Sequence, residues 1–306
     1  AVAAAADGGV VLLATTGAAA AGARGEAARA ALKKRLGCDA CRTPAQNELG
    51  LRMLLGSAAR AAAAEGAALR PLFSHYAPHG PVFRVAAVVD RSAAPGDVAE
   101  ARRLGGAMLG VCGTCGEAAF SYNDAGDAGS DGDGIDASPP ERGDDPGRIR
   151  AAAARIRRLL RRRRSNESAR CRACGEPFGA DAVAGPLWAG PLHSAATAAA
   201  MRADAESRGW LGDRGHARRL TRLLDALVAE SEDAALDATL FKSLDDVARR
   251  AGVRTPGRGE LAAELKKRGW SAAPTHVEGK AVKTGAPFSV VVAAARAVDA
   301  ASKRPG

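Results

Sequence analysis

Two Cys-x-x-Cys turns, Cys112-Gly113-Thr114-Cys115 and Cys171-Arg172-Ala173-Cys174, each followed directly by glycine, constrain this chain more than any other feature. One such turn aims two thiolates at a single point, and two turns supply the four ligands of a tetrahedral metal ion. The pattern predicts a structural zinc on Cys112, Cys115, Cys171 and Cys174, while the same spacing also admits redox or disulfide pairs and unpaired thiols. The 55 residues between the turns exceed ordinary ribbon spacing. Residues 121–170 read as an insertion, which lets the two turns meet in space. A third pair, Cys38 and Cys41, reads as incidental buried thiols, with redox and metal roles as alternatives.

Composition sets the wider limits. With 306 residues, 47% hydrophobic and 25% charged, the chain has material for two ordinary domains with real cores. A net charge of +10 and a pI near 9.8 favour a polyanionic partner, nucleic acid first, because Lys and Arg neutralise phosphates and release counterions. No apolar run reaches the roughly 20 residues needed to span a bilayer. The opening AVAAAADGGVVLLATTG lacks both an initiator Met and a basic n-region, so neither a signal peptide nor a membrane partner is expected. That reading places the protein inside the cell, with nucleus, mitochondrion and chloroplast all open. The abrupt start predicts a partial chain.

Residues 1–6 read as the end of a helix, Asp7-Gly8-Gly9 as a turn, and residues 10–14 as a short buried strand, the helix–turn–strand unit of an α/β sheet. Residues 48–65 carry Leu49, Met53 and Leu54 at helical spacing and stop before Gly66. Residues 83–89 read as a strand. The acidic, Gly-rich stretch 121–147 has too little apolar surface to offset its ordering entropy and reads as a disordered insertion. Directly after it, residues 148–164 hold nine arginines, including the run Arg161, Arg162, Arg163 and Arg164, a block suited to RNA, to nuclear import or to pairing with the acidic stretch. Residues 195–230 and 244–268 read as helices, and 245–283 as two helices followed by a wing-like ribbon.

The segments then acquire a common meaning. In order, they are Asp7 to Ala14, Glu48-Leu49-Gly50-Leu51-Arg52-Met53-Leu54-Leu55, Pro71-Leu72-Phe73-Ser74, Phe83-Arg84-Val85, both cysteine turns, Gly185-Pro186-Leu187-Trp188-Ala189-Gly190-Pro191-Leu192-His193, and His276-Val277-Glu278-Gly279-Lys280-Ala281-Val282-Lys283-Thr284. This order resembles the C-terminal portion of the tRNA (guanine-26 N2)-dimethyltransferase family. The resemblance implies an S-adenosylmethionine-dependent methyl transfer to tRNA. It implies an α/β fold in which residues 1–92 complete a Rossmann-like methyltransferase sheet. Residues 93–306 then form an α+β, zinc-containing tRNA-binding domain with a winged-helix-like end. Arg52, Arg84, His276, Lys280 and Lys283 join the arginine run as expected RNA contacts. No Asp-Pro-Phe/Tyr sequence and no glycine-rich strand–turn–helix start occurs in residues 1–306. No catalytic residue is therefore assigned and the cofactor-binding residues are unknown. The chain alone is expected to be inactive. Departures from the family pattern at Thr15-Thr16, Gln46-Asn47-Glu48 and Cys38-Asp39-Ala40-Cys41 keep a noncatalytic zinc-stabilised RNA-binding protein or a divergent inactive paralogue as the alternative.

Overall fold

In the computed structural model, residues 2–16, 26–78, 80–122, 170–179, 181–233, 236 and 239–303 are described. The elements run β1 (Gly9–Thr15), α1 (Glu26–Leu36), α2 (Gln46–Ala64), β2 (Ala68–Ala77), β3 (Val82–Asp90), α3 (Pro95–Gly105), β4 (Ala107–Val111), β5 (Ala118–Ser121) and β6 (Val183–Leu187). They continue with α4 (Ala195–Ser207), α5 (Gly215–Ser231), β7 (Lys242–Ser243), α6 (Leu244–Ala251), α7 (Arg258–Lys267), β8 (Ala273–Pro274), β9 (Ala281–Lys283) and α8 (Phe288–Ser302).

Helix α2 sits at the centre, and its sequence explains why. Buried residues occur on every side of it, including Leu49, Leu51, Met53, Leu54, Leu55 and Ala59. A helix apolar all round must be covered all round. On one side lies an antiparallel sheet in the order β1-β3-β2, and on the other the sheet β5-β4-β6. Gly56 permits the second contact, since a Cβ there would stand 2.6 Å from the Trp188 backbone nitrogen. The absent side chain lets the helix touch the backbone leaving β6. Strand β4 is buried along its whole length. The main core cluster runs from Val2 through α2, Leu109, Leu187 and Trp188 to Phe241 and Ala281, so it crosses the expected boundary at residue 92.

A second cluster joins α6, α7 and α8 to the short sheet β7-β9-β8, with Val247, Leu261, Leu265, Val282 and Val291 at its centre. A third holds the hairpin of α4 and α5 through Ala198, Ala205, Leu224 and Leu227. Two expectations change: the run 10–14, read as a buried strand, forms β1 with Val10 and Leu12 exposed, and residues 2–6 are not helical. Residues 2–6 form a turn, because Arg91 donates to the carbonyls of Val2, Ala3 and Ala5 and holds them away from helical pairing. Residues 195–230 form two helices, because Gly209 takes a φ of +67° and the Trp210 amide closes back on the Ala205 carbonyl. Of the acidic stretch 121–147, Ser121 ends β5 and Tyr122 lies under the Arg103 guanidinium at 4.3 Å. Residues 123–147 lie outside the described residues.

Candidate metal centre

Strand β4 ends at Val111 and hands the chain to Cys112, and the second cysteine turn precedes β6, the other neighbour of β4. Pairing along one sheet therefore brings together cysteines with 55 residues between them. The two turns repeat the same backbone bonds. Cys112 N–H donates to the Glu117 carbonyl at 2.8 Å and Gly116 N–H to Cys112 at 2.9 Å; Cys171 N–H donates to Glu176 at 2.8 Å and Gly175 N–H to Cys171 at 2.7 Å. Gly116 and Gly175 take φ of +82° and +75°, a conformation that a side chain would strain. The N–H groups of Thr114 and Cys115 aim at the Cys112 sulfur, and those of Ala173 and Cys174 at Cys171.

All four sulfurs lie within 4.8 Å of one another. Cys112 Sγ and Cys174 Sγ are 3.6 Å apart, as are Cys115 Sγ and Cys171 Sγ. Zn–S bonds of about 2.3 Å in a tetrahedron require sulfurs about 3.8 Å apart, whereas a disulfide requires about 2.0 Å. The donor set fits zinc. Burial opposes thiolate at Cys112, yet the turn amides and neighbouring thiols bring it down to about 7, while burial pushes Cys115 and Cys171 upward. The first turn is also tied to the C-terminal helices. Arg250 donates to the carbonyls of Gly113 and Thr114, and Glu117 accepts from the Phe288 amide at the start of α8. Cys38 and Cys41 are buried singly; Cys38 Sγ donates to the Pro186 carbonyl at 2.9 Å, and burial pushes the Cys41 thiol up to about 12.

The remaining expected site residues divide into interior and surface. Arg52 is fully buried, with Nε donating to Glu48 at 2.9 Å and the Nη groups to the carbonyls of Trp188, Gly190 and Thr239. Lys283 is fully buried as well, its Nζ 3.2 Å from the same carboxylate. The side chain of His276 has no exposure, and its Nδ1 lies 2.8 Å from Glu230. These three were expected on an RNA-facing surface, and the structure places them inside: the donors of Arg52 and Lys283 meet fixed acceptors, as burial of a cation requires, while His276 engages Glu230 through Nδ1 and leaves its buried Nε2 without a hydrogen-bond partner among the described residues. Lys280 is exposed and Arg84 partly exposed. Arg161, Arg162, Arg163 and Arg164 lie outside the described residues.

The segments that met in the interior are those whose order gave the resemblance, and comparison with known proteins agrees. The sequence profile of the N2,N2-dimethylguanosine tRNA methyltransferases matches residues 1–296. The chain belongs to this family. A tRNA (guanine(26)-N(2))-dimethyltransferase of Aeropyrum pernix is 31% identical over 271 residues, covering 88% of this chain and 53% of that protein. The Schizosaccharomyces pombe protein of the same name is 29% identical over 124 residues, 40% of this chain and 21% of that protein. In fold, the chain resembles Trm1 from Pyrococcus horikoshii, solved with S-adenosyl-L-methionine, with a TM-score of 0.62 at 20% identity over 94% of this chain and 58% of that one. The chain thus spans about half the length of its Aeropyrum relative.

Two carboxylates, Glu48 in the Glu48–Leu55 segment and Glu230 outside the segments that carry the resemblance, organise this family member's interior. Glu48 gathers Arg52, Lys283 and the Phe241 amide, and Glu230 gathers the side chain and amide of His276, with His193 Nδ1 at 3.7 Å. The other ring nitrogen of His193 meets Ser74 Oγ at 3.2 Å. His193, Glu230 and His276 have ligand atoms within 4.8 Å of one another. The 2.8 Å contact is a hydrogen bond, and the charge of Lys283 acting on Glu230 disfavours a further cation. The signal in the sequence is a carboxylate inside an apolar helical run.

This interior carries a pH signature. Burial alone would raise Glu230, but the charges of His276 and Lys283 and the hydrogen bond to His276 outweigh it and hold the carboxyl at about 2. Its stabilising contribution is present above the ordinary value of 4.5 and is lost as pH falls from there towards 2. His75, lowered from 6.5 to about 4 by burial and then by His276 and Arg84, favours its neutral form in the fold. Acid therefore weakens the protein from pH 6.5 downward through this second group. Urea midpoints measured across pH should fall in two stages, with His75→Gln removing the upper and Glu230→Gln the lower. Variant profiles parallel to the parent would refute the assignment.

Proposed function

We propose that this chain supplies the C-terminal portion of an S-adenosylmethionine-dependent tRNA guanine-N2 methyltransferase, acting on guanosine 26. In this reading residues 1–92 close the methyltransferase sheet and residues 93–306 grip tRNA. Zinc on Cys112, Cys115, Cys171 and Cys174 would stabilise the second part. The carrying observation is the family match across 1–296, which includes the sheet, both cysteine turns and the helices that follow. The strand directions support the sheet part of this reading, since β1 and β2 point the same way with β3 antiparallel between them, and β1 lies at a sheet edge with Val10 and Leu12 exposed. An edge of that kind suits continuation of the sheet. The two helices α6 and α7 followed by the β8–β9 ribbon support a winged-helix-like end.

The chemistry explains the need for such a gripping part. The exocyclic amine of guanine is a weak nucleophile because its lone pair is delocalised into the ring, so it must be held in line with the methyl donor while losing a proton. A guanine in a folded tRNA must also leave its stack, at a cost of roughly a few kcal/mol, and interactions elsewhere on the RNA offset that cost. Residues 1–306 carry no motif for the methyl donor, and we assign no catalytic or cofactor-binding residue among them. No helix of the described residues is long and apolar enough to cross a membrane.

Calorimetry with S-adenosylmethionine and transfer of labelled methyl to tRNA test this reading. The expected result for the chain as given is no binding at micromolar concentration and no transfer, with both present in a polypeptide that spans the full length of the relatives. Transfer by the chain alone would overturn the division. Failure of the longer polypeptide would favour a noncatalytic RNA-binding protein.

A further inference from the structure

We infer that the turn before α5 and the first half of that helix form an RNA-docking site, in which an unpaired base stacks on Trp210 while Arg214, Arg218, Arg219 and Arg222 meet phosphates. The inference rests on the tRNA reading above and assigns a site to it. Residues 214–222 read Arg-Gly-His-Ala-Arg-Arg-Leu-Thr-Arg, four arginines with no carboxylate. Arg214, Arg218 and Arg222 recur every four residues, so they line one stripe of the helix, with Arg219 beside it. The opposite face carries Leu220, Leu223, Leu224 and Leu227 into the core shared with α4. The stripe therefore faces solvent, and all four arginines are exposed.

Their charges are uncommitted. Among the described residues none of the four pairs with a carboxylate, whereas Arg202 and Arg208 nearby are held by Asp225 and Asp204. The exposed acidic neighbour on the same segment is Asp213. A solvated charge run elsewhere in this chain is interleaved with acids, as in α7, where Glu264 takes Lys267 and Arg268. Unneutralised arginines in one stripe suit a run of phosphates.

Trp210 is the second and independent observation. It is 54% exposed, so an indole large enough to stack on a base stands open to solvent. Its mounting is rigid. The Trp210 amide bonds the Ala205 carbonyl at 3.0 Å, and Thr221 bonds both the amide and the carbonyl of Gly212, fixing the turn to α5. Arg208 lies over the indole at 5.0 Å. A rigid, exposed aromatic beside a cationic stripe is the arrangement that stacks bases and tracks a backbone.

The test is binding of the 306-residue chain to a tRNA transcript, followed by fluorescence polarisation between 50 and 200 mM KCl. Replacing Arg214, Arg218, Arg219 and Arg222 together with Ala should flatten the plot of log affinity against log salt by about 0.7–0.9 for each phosphate no longer neutralised. Trp210→Ala should weaken binding by about fivefold or more at fixed salt without changing that slope, and Trp210→Phe should keep most of the affinity. Thermal melting of all three variants should match the parent, since the replaced side chains are exposed. Unchanged slope and affinity with intact tRNA binding would overturn this site alone. Absence of tRNA binding by the parent would overturn the RNA reading with it, and equal competition by heparin would replace base stacking with an unspecific polyanion surface.

Discussion

Replacing Cys171 with Ser should abolish zinc binding and unfold the region around both cysteine turns, and chelation should do the same to the parent. Structural zinc contributes apparent free energies of about 10–16 kcal/mol in small zinc modules, against a total stability of about 5–15 kcal/mol for an ordinary domain. The turns are not peripheral. Val111 and Leu109 of β4 belong to the main core, and the first turn holds α6 through Arg250 and α8 through Glu117. Without the ion, four sulfurs at tetrahedral spacing have no reason to remain together, and the end of the sheet that carries them, where β4 and β6 pair, opens. Metal analysis of the purified chain should give close to one zinc, falling to near zero in the Cys171→Ser variant. A variant with unchanged zinc content and melting temperature would exclude these four ligands. Zinc loss with unchanged melting would show that the ion adds nothing to folding.

The cysteine set is readable in the sequence because a local turn encodes it twice, and only the distance between copies needs the sheet to explain it. Strand Val82–Asp90 and helix Gln46–Ala64 are readable for a similar reason, since apolar spacing reports burial within one element, whereas the run 10–14, read as a buried strand, forms β1 with Val10 and Leu12 exposed. The roles of Arg52, His276 and Lys283 are not. A cation looks the same in sequence whether it meets phosphate or a buried carboxylate, and the partner of Lys283 lies at Glu48, far away in the chain. The clue lies in combination. Glu48 and Arg52 occupy one motif, the carbonyls of Trp188 and Gly190 and the ring of His193 a second, and His276 and Lys283 a third; folding closes the three onto each other. Residues 195–230 read as helices and form two, with the break between them falling at Gly209 to Gly212 inside a pattern of alanines and arginines.

Arg52→Met should therefore lower stability while leaving the salt dependence of tRNA binding unchanged. The substitution keeps much of the apolar stem and removes the guanidinium. Glu48 then retains Lys283 and the Phe241 amide, and the carbonyls of Trp188, Gly190 and Thr239 are left without that donor in a buried setting. Leaving a buried acceptor without its donor costs about 1–3 kcal/mol, and three carbonyls lose theirs here while the Glu48–Lys283 pair stays neutralised. Urea unfolding should show that loss, and a Glu48→Gln/Arg52→Met double variant should lose less than the sum of the two single variants, the mark of direct coupling. A surface arginine would behave in the opposite way. If Arg52→Met left the urea midpoint in place and flattened the salt slope of tRNA binding, the guanidinium would have to reach solvent, and the interior network built on Glu48 would be wrong.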